Sequence, residues 1–473
     1  MNKETVVKLY NTLAREKQSL KPIRDNAVRI YTCGLTVYSQ PHIGNWVAYI
    51  YWDILVRTLK ANSYKVERVQ NITDVGHLVS DDDEGEDKME KGAKNEGSTA
   101  WEVAEKYITI ADKEAYELLK LLRPEHMPRA TDYIKEQIDF VLELEQKGYT
   151  YQIANDGIYY DTARLDDYGK LAKLDVEGLE AGKRVENSKK RNKTDFALWK
   201  FSPKDKQRDM EWDSPWGKGF PGWHLECSVM AREILGDTID IHTGGIDHIA
   251  VHHTNEIAQT EALTGKPFAN IWLHNNHLKI ADGKMAKSLG NIVTLRDILN
   301  KGYEINAYKV LVLSSHYQTG GNFTWEILDA AAARLDNYNS MADLVHQSFE
   351  VDDYFGDIET LHNVKTALSD NLDTPKALSL LDKLADKVNT RLVNQRQLPA
   401  LKKILADLDE LLGLNLSARP DISPDKKTLL AQREKARVSK DWQAADAIRD
   451  QLASNGITVR DTDYGQVWHQ TKT

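Results

Sequence analysis

Residues 29–74 constrain the fold more than any other part of the chain. "RIYTCG" (29–34) joins β-favouring Ile, Tyr and Thr to a terminating glycine and reads as a short strand. "GNWVAYIYWDILVRTLK" (44–60) sets Trp46, Val47, Ile50, Ile54 and Leu55 near helical spacing. "YKVERVQNITDVG" (64–76) then supplies a second strand over 66–72, ending in Thr73 and Asp74. Strand, helix, strand predicts a parallel α/β sheet, because only a crossover connection can align consecutive strands. Ligands of such sheets sit at the carboxyl ends of the strands. Cys33, His42 and Thr73 all fall there.

Further along, 101–147 has a helical pattern. Residues 149–210 are charged and irregular, with "KKRNK" at 189–193, and read as an insertion. "DTIDIHTGGIDH" (237–248) returns to strand character and closes on a double glycine; "VHHTNEIAQTEALTG" (251–265) reads as a helix. Residues 324–416 are almost purely helical, with the polar faces of a bundle. A Pro-containing linker (418–425) precedes two helices and a short strand-like tail. A chain of 473 residues is expected to form two to four domains.

Composition narrows the class. The chain is 41% hydrophobic and 28% charged, ordinary for a soluble globular protein. No apolar run reaches the roughly 18 residues of a membrane span. The first residues lack the apolar segment of a secretory signal, so a cytoplasmic enzyme is expected. Two cysteines, Cys33 and Cys227, are too few for a disulfide framework. Taken alone they read as buried thiols. A net charge of −10 gives no global basic footprint, though it leaves room for local basic surfaces. The acidic run "DDDEGED" (81–87) lacks EF-hand spacing and reads as a solvated loop.

Three segments carry chemistry. In "GWHLECSVM" Cys227 follows Trp223 and His224, and 25 residues later His252 and Glu256 stand at i and i+4 of a helix. With Cys33 they make a Cys/Cys/His/Glu set that zinc accepts; alone, the His/Glu pair is more often a helix-surface contact. "HIGN" (42–45) puts His42 and Asn45 one turn apart at a helix start, where free N–H groups favour phosphate; a capped helix start is the plainer reading. "DGKMAKSLGN" (282–291) sets Lys284 and Lys287 between glycines, as in a loop that closes over phosphates or as in a simple solvated loop.

Together and in order, these segments resemble the cysteinyl-tRNA synthetase family of class I aminoacyl-tRNA synthetases. "YTCGLTVYSQPHIGN", "NITDVGHL", "SPWGKGFPGWHLECSVM", "DIHTGGIDHIAVHHTNEIAQ", "KMAKSLGN", "DNLDTPKAL" and "REKARVSKDWQAADAIRDQLASNGITVRDTDYGQVW" carry the resemblance nearly end to end. It implies an α/β fold with a Rossmann-like parallel-sheet catalytic domain, a helical bundle and a small C-terminal anticodon-binding domain. The implied division is 1–120 and 215–265 for the catalytic halves, 121–214 for a connective insertion and 266–323 for a stem-contact region. The bundle would take 324–417 and the anticodon-binding domain 424–473.

The resemblance also implies roles. Cys33, Cys227, His252 and Glu256 would hold one Zn2+. Trp223 would wall the amino-acid pocket and Thr73 would line it. His42 and Asn45 would stabilise the transition state at the α-phosphorus of ATP, which binds with Mg2+. Gly244, Gly245 and Asp247 would hold the adenosine, and Lys284 and Lys287 would clamp the phosphates. Arg437, Asp446 and Asp461 would read anticodon bases. The implied partners are L-cysteine, ATP and cysteine tRNA, acted on by a cytoplasmic monomer without membrane contact. The expected chemistry forms cysteinyl-adenylate and transfers cysteine to the 3′ end of the tRNA.

Shape separates near-isosteres such as cysteine and serine by only about 100-fold, so a metal that prefers sulfur is a physical solution. The chain departs from the family pattern at Ala286, where serine is usual, and at Leu35, Asn45 and Thr254. None of these removes a proposed chemical group. Two other readings compete. A ligase joining activated cysteine to an amino sugar would lack the segment from about 424. A tRNA-binding paralogue without activation chemistry would not need His42, Asn45, Lys284 and Lys287. Residues 189–193 are a candidate basic surface for RNA.

Overall fold

The strand–helix–strand unit forms as the sequence predicts in the computed structural model of the chain, which describes residues 6–75, 87–174, 189–203, 208–280, 292–352 and 358–471. Two compact units result, one of Val6–Trp52 with Ser63–His277 and one built mainly from Leu278–Thr473. The first unit opens with β1 (Lys8–Asn11), β2 (Glu16–Ser19), β3 (Ala27–Thr32) and the start of α1 (Ile43–Ala61), whose residues 53–61 group with the second unit. β4 (Lys65–Gln70), α2 (Lys88–Glu96), α3 (Ala100–Asp112) and α4 (Ile134–Gln146) follow. Next come β5 (Thr150–Ile153), β6 (Gly157–Tyr160), β7 (Phe196–Phe201) and β8 (Gly219–Pro221). The unit closes with α5 (Trp223–Leu235), β9 (Ile239–Gly245), α6 (His252–Thr264) and β10 (Ala269–Asn275).

Four strands pair in parallel in the order β10-β9-β3-β4. Val28, Ile30, Tyr31 and Thr32 of β3 are all fully buried, as expected of a central strand covered on both faces. The chain passes from β3 through α1 to β4 on one side, then returns through β9 on the other. That reversal opens a crevice between the carboxyl ends of β3 and β9, where open α/β sheets bind ligands.

The structure corrects the sequence reading in four places. The helical stretch expected at 101–147 is broken between residues 119 and 129, where Pro124 and Pro128 cannot continue a helix. The chain runs extended beside β4 instead: the amide of Gln70 donates to His126 O (3.0 Å) and that of Ile72 to Pro128 O (2.9 Å). The described residues of the insertion form a sheet where the sequence predicts irregular structure. β5, β6, β7 and β8 form an antiparallel sheet, with the rings of Tyr160 and Phe196 stacked at 5.0 Å. That sheet reaches Pro221, beyond the expected limit of 214. The parallel sheet likewise continues past 265, because β10 pairs with β9 along its whole length.

The second unit carries β11 (Leu278–Ile280), α7 (Leu295–Asn300), α8 (Ile305–Leu313) and β12 (Gly321–Phe323). The expected helices follow as α9 (Trp325–Asp343), α10 (Ile358–Ser369), α11 (Thr374–Arg391) and α12 (Leu398–Leu412). Leu401, Leu405, Leu408 and Leu412 make one buried stripe on α12, which ends at Gly413 in the left-handed conformation (φ 61°). α13 (Pro424–Val438) and α14 (Trp442–Ser454) precede the strand-like tail. That tail is an antiparallel hairpin, β13 (Ile457–Thr462) with β14 (Gly465–Gln470). No helix among the described residues is long and apolar enough to cross a membrane.

Candidate metal and amino-acid site

Cys33 leaves β3 one residue beyond its last paired position, its amide still donating to Thr243 O of β9 (3.3 Å). Gly34 comes next because the exits of β3 and β4 nearly touch: a Cβ there would lie 1.5 Å from Asn71 O. The Gly34 amide donates to Asn71 Oδ1 (2.8 Å), and Asn71 Nδ2 donates to Thr73 Oγ1 (3.1 Å). Cys33 and Thr73 are thereby held side by side at neighbouring strand ends. Two packed helices supply the rest. α5 presents Trp223 and Cys227, and α6 presents His252 and Glu256, each pair at i and i+4 on one helix face. The donor atoms of Cys33, Cys227, His252 and Glu256 all lie within 4.8 Å of one another, and all four residues are buried.

A shell of histidines surrounds this cluster. His252 Nε2 is 3.0 Å from Glu256 Oε1, and its Nδ1 is 3.0 Å from His224 Nδ1. The second oxygen of Glu256 is held by His242 Nε2 at 2.9 Å. His253 Nε2 lies 3.3 Å from Cys33 Sγ, and its Nδ1 lies 2.8 Å from His274 Nε2, which continues to Thr12. The Trp223 ring stacks on His252 with centroids 4.4 Å apart. Cys33, His242, His253 and Glu256 form a second grouping within the same distance limit. The set with two sulfurs offers the softer donors and fits a borderline-soft cation better. Two sulfurs, one imidazole and one carboxylate match zinc chemistry, with outer histidines orienting the inner ligands.

The electrostatics suit a cation. Burial works against a Cys227 thiolate, but hydrogen bonding to Cys33 and to His252 lowers its pKa to about 6. Burial and the hydrogen bond to Cys227 hold the Cys33 thiol well above its ordinary value. Burial disfavours charge on His252, yet the Glu256 carboxylate and the Cys227 sulfur raise it to about 10. Glu256 resists its own burial through His242 and His252 and stays ionised.

Sequence reasoning passed over His224, His242, His253 and His274 as functional groups. Their signal was available: they and His248 and His252 are six of only 14 histidines. It also passed over Glu226, fully buried beside Cys227.

His42 and Asn45 stand at the first turn of α1, where Asn45 Oδ1 accepts from the His42 amide (3.0 Å). The capped-helix reading therefore holds, and it coexists with any role toward phosphate. Gly244, next to last in β9, lies against imidazole rings: a Cβ there would lie 2.5 Å from His253 Cε1. Asp247 is exposed in the short turn that follows. Lys284, Lys287 and Ala286 lie outside the described residues, as does most of the acidic run 81–87. In the basic run, Arg191 covers the Tyr151 ring at 4.2 Å and pairs with Asp161 (3.1 Å).

In the C-terminal segment, Arg437 on α13 pairs with Asp461 on β13 at 2.6 Å. Asp461 also accepts two hydrogen bonds from Arg433 (2.8 and 2.9 Å), a residue the sequence did not single out. Asp446, on α14, is exposed and pairs with Arg449 (3.2 Å).

The parallel sheet, its crevice and the helices that close on it define a class I aminoacyl-tRNA synthetase fold. A methionyl-tRNA synthetase of Mycobacterium tuberculosis, in complex with methionyl-adenylate, superposes with a TM-score of 0.56 over 83% of this chain and 88% of that one; identity is 13%, so the likeness is one of fold. Residues 19–333 match the profile described as the tRNA synthetases class I (C) catalytic domain, and residues 419–468 that of the cysteinyl-tRNA ligase anticodon binding domain. The chain is 47% identical to cysteine–tRNA ligase 1 of Burkholderia lata, over 97% of this chain and 96% of that one. It is 40% identical to the cysteine–tRNA ligase of Treponema denticola, over 98% and 99%. The chain belongs to the cysteine–tRNA ligase family.

Proposed function

We propose that this chain activates L-cysteine with ATP as cysteinyl-adenylate and transfers it to the 3′ end of cysteine tRNA. The observation that carries the reading is the convergence of Cys33, Cys227, His252 and Glu256 at the crevice of the parallel sheet. Zinc bound there would take a substrate thiolate in preference to a hydroxyl, which shape alone discriminates poorly. The chain's own residues do the remaining work. Trp223, stacked on His252, walls the amino-acid pocket, and Thr73 lines it. His42 and Asn45 meet the α-phosphate at the positive end of α1, where donors can follow charge as it develops. Gly244, Gly245 and Asp247 hold the adenosine, and Lys284 and Lys287 clamp the phosphates of ATP, which carries Mg2+. The cysteine carboxylate attacks the α-phosphorus in line, so catalysis needs positioning and charge stabilisation without a covalent protein nucleophile.

Arg437, Asp446 and Asp461 read anticodon bases, since carboxylates accept from exocyclic amines and arginine donates to guanine. The segment matched over residues 419–468 favours tRNA over an amino sugar as acceptor. The working form is a cytoplasmic monomer. The test is ATP–pyrophosphate exchange dependent on cysteine, with serine as control, followed by charging of cysteine tRNA. Exchange without charging would point to another acceptor. No exchange with tRNA binding intact would point to a paralogue without activation chemistry.

A further inference from the structure

Arg433 and Arg437 stand at i and i+4 on one face of α13, and both reach the single carboxylate of Asp461 on β13. They hold it differently. Arg433 is buried, its side chain 3% exposed, and it spans the carboxylate: Nη1 donates to Oδ1 at 2.8 Å and Nη2 to Oδ2 at 2.9 Å. Its Nη1 also donates to Oε1 of Gln466 (3.0 Å), the residue facing Asp461 across the hairpin. Gln466 is itself fixed, donating through Nε2 to Leu430 O of α13 (2.6 Å). Arg437 is 25% exposed and meets Asp461 at one point, Oδ1 at 2.6 Å; it also faces Glu434 at 3.5 Å.

Burial decides which arginine can leave. A buried charge stripped of its partner is costly, whereas a solvated one-point pair contributes little. Arg437 is therefore the partner that a base can displace, and Arg433 is the one that stays. The Arg433 fork takes one lone-pair position on each oxygen, which fixes the plane of the carboxylate and leaves its outer positions for a ligand. Hydrogen bonding to Arg433 also holds the Asp461 carboxyl below its ordinary range, so the group stays ionised and only accepts. A base N–H then takes the place that Arg437 gives up, and the freed guanidinium becomes a donor for a base acceptor beside it. We propose that Arg433 is a positioning residue for anticodon reading, fixing the Asp461 carboxylate in the orientation that accepts a base; the inference rests on the anticodon role proposed for Asp461 above. Without Arg433, Asp461 and Arg437 keep one another as partners, and the carboxylate is free to turn.

The test is charging of cysteine tRNA by the full chain, with each anticodon base replaced in turn. Asp461→Asn should flatten discrimination at the base or bases it reads. Arg433→Gln should flatten it at the same positions by about 10- to 100-fold in kcat/KM and leave the others alone. The loss should sit in KM for tRNA, with ATP–pyrophosphate exchange at wild-type rates. In the Asp461→Asn background Arg433→Gln should cost nothing further, because it acts through that carboxylate. Arg433→Lys keeps the charge without the fork and should retain part of the discrimination, which covers the case of a poorly folded Gln variant. Full discrimination in both Arg433 variants, equal loss at every anticodon base, or losses that add in the double variant would overturn the inference. Wild-type discrimination in Asp461→Asn overturns the anticodon role of Asp461 itself, and the inference with it.

Discussion

The carboxyl end of the parallel sheet and the C-terminal helices and hairpin hold their candidate recognition residues in opposite surroundings. At the sheet, Cys33, Cys227, His252 and Glu256 are buried, and outer histidines hold them in place. In the C-terminal segment, Arg437 and Asp461 are paired with one another on a surface, and Asp446 is exposed and paired with Arg449. Under the proposed function, the difference follows from ligand size. A small amino acid offers few contacts, so each must be worth much, and donors gain worth where water is excluded. An RNA loop offers many contacts, so its readers can remain solvated and swap a protein partner for a base at modest cost.

The largest effect should come from the buried region. Cys227→Ser should lower metal affinity by more than about 100-fold and remove cysteine-dependent exchange, because one of the two sulfurs proposed to hold the metal is lost. Elemental analysis of the purified variant reads this directly, and a fully loaded active variant would break the buried side of the comparison. His242→Asn should act through Glu256, whose second oxygen it holds at 2.9 Å. Metal affinity should fall by about 10- to 100-fold in chelator competition, with the fold intact by circular dichroism.

Asp461→Ala probes the exposed region. It should cost about 1–3 kcal/mol of tRNA affinity, read as a rise in KM for tRNA, while exchange without tRNA stays at wild-type rates. It should also cost about 1–3 kcal/mol of stability, since the carboxylate is partly exposed but takes two hydrogen bonds from Arg433, whose side chain is only 3% exposed. A loss of exchange in this variant would erase the contrast between the two regions.

The smallest effect is a proton count. In the metal-free protein near pH 8, Cys227, lowered to about 6, is already a thiolate, and Glu256 is ionised. Cys33, pushed up, and His252, raised to about 10, still hold protons. Metal uptake should therefore release about two protons per ion at pH 8, and a third as pH falls below about 6, where Cys227 is also protonated. The same shifts act oppositely on stability. The depressed Cys227 pKa contributes stability that is lost as pH falls from the unfolded value through about 6. The raised His252 pKa contributes stability that is lost as pH rises through about 10. Between roughly pH 7 and 8.5 the two slopes cancel, so thermal midpoints of the metal-free protein should be flat there. Calorimetry in buffers of different ionisation enthalpy supplies the count.

Much of this was legible in the residues. β-favouring residues ended by a glycine and a helical spacing of apolar residues over 29–74 mark β3, α1 and β4, and the helical pattern with polar faces over 324–416 marks the bundle helices. The i and i+4 spacing of His252 and Glu256 puts both on one helix face before any fold is known. The four-stranded sheet of β5, β6, β7 and β8 was not legible. Its strands are short, β6 and β7 are far apart in sequence, and no local period reports a pairing across that distance. The prolines at 124 and 128 were visible, but what the broken stretch does instead depends on β4 lying beside it.

By itself, the sequence determined the class of sheet, the order of the motifs and the residue types able to bind a metal, because these depend on local period and side-chain chemistry. Only the tertiary structure decided that Cys33, Cys227, His252 and Glu256 meet, and that His242 and His224 orient two of them. It likewise decided that Asp461 is shared between Arg433 and Arg437. The reason is geometric. These groups lie on β3, α5, β9 and α6, far apart in the chain, and their convergence depends on which side of β3 the chain returns to. That choice is made by packing the whole sheet, and no window of sequence contains it.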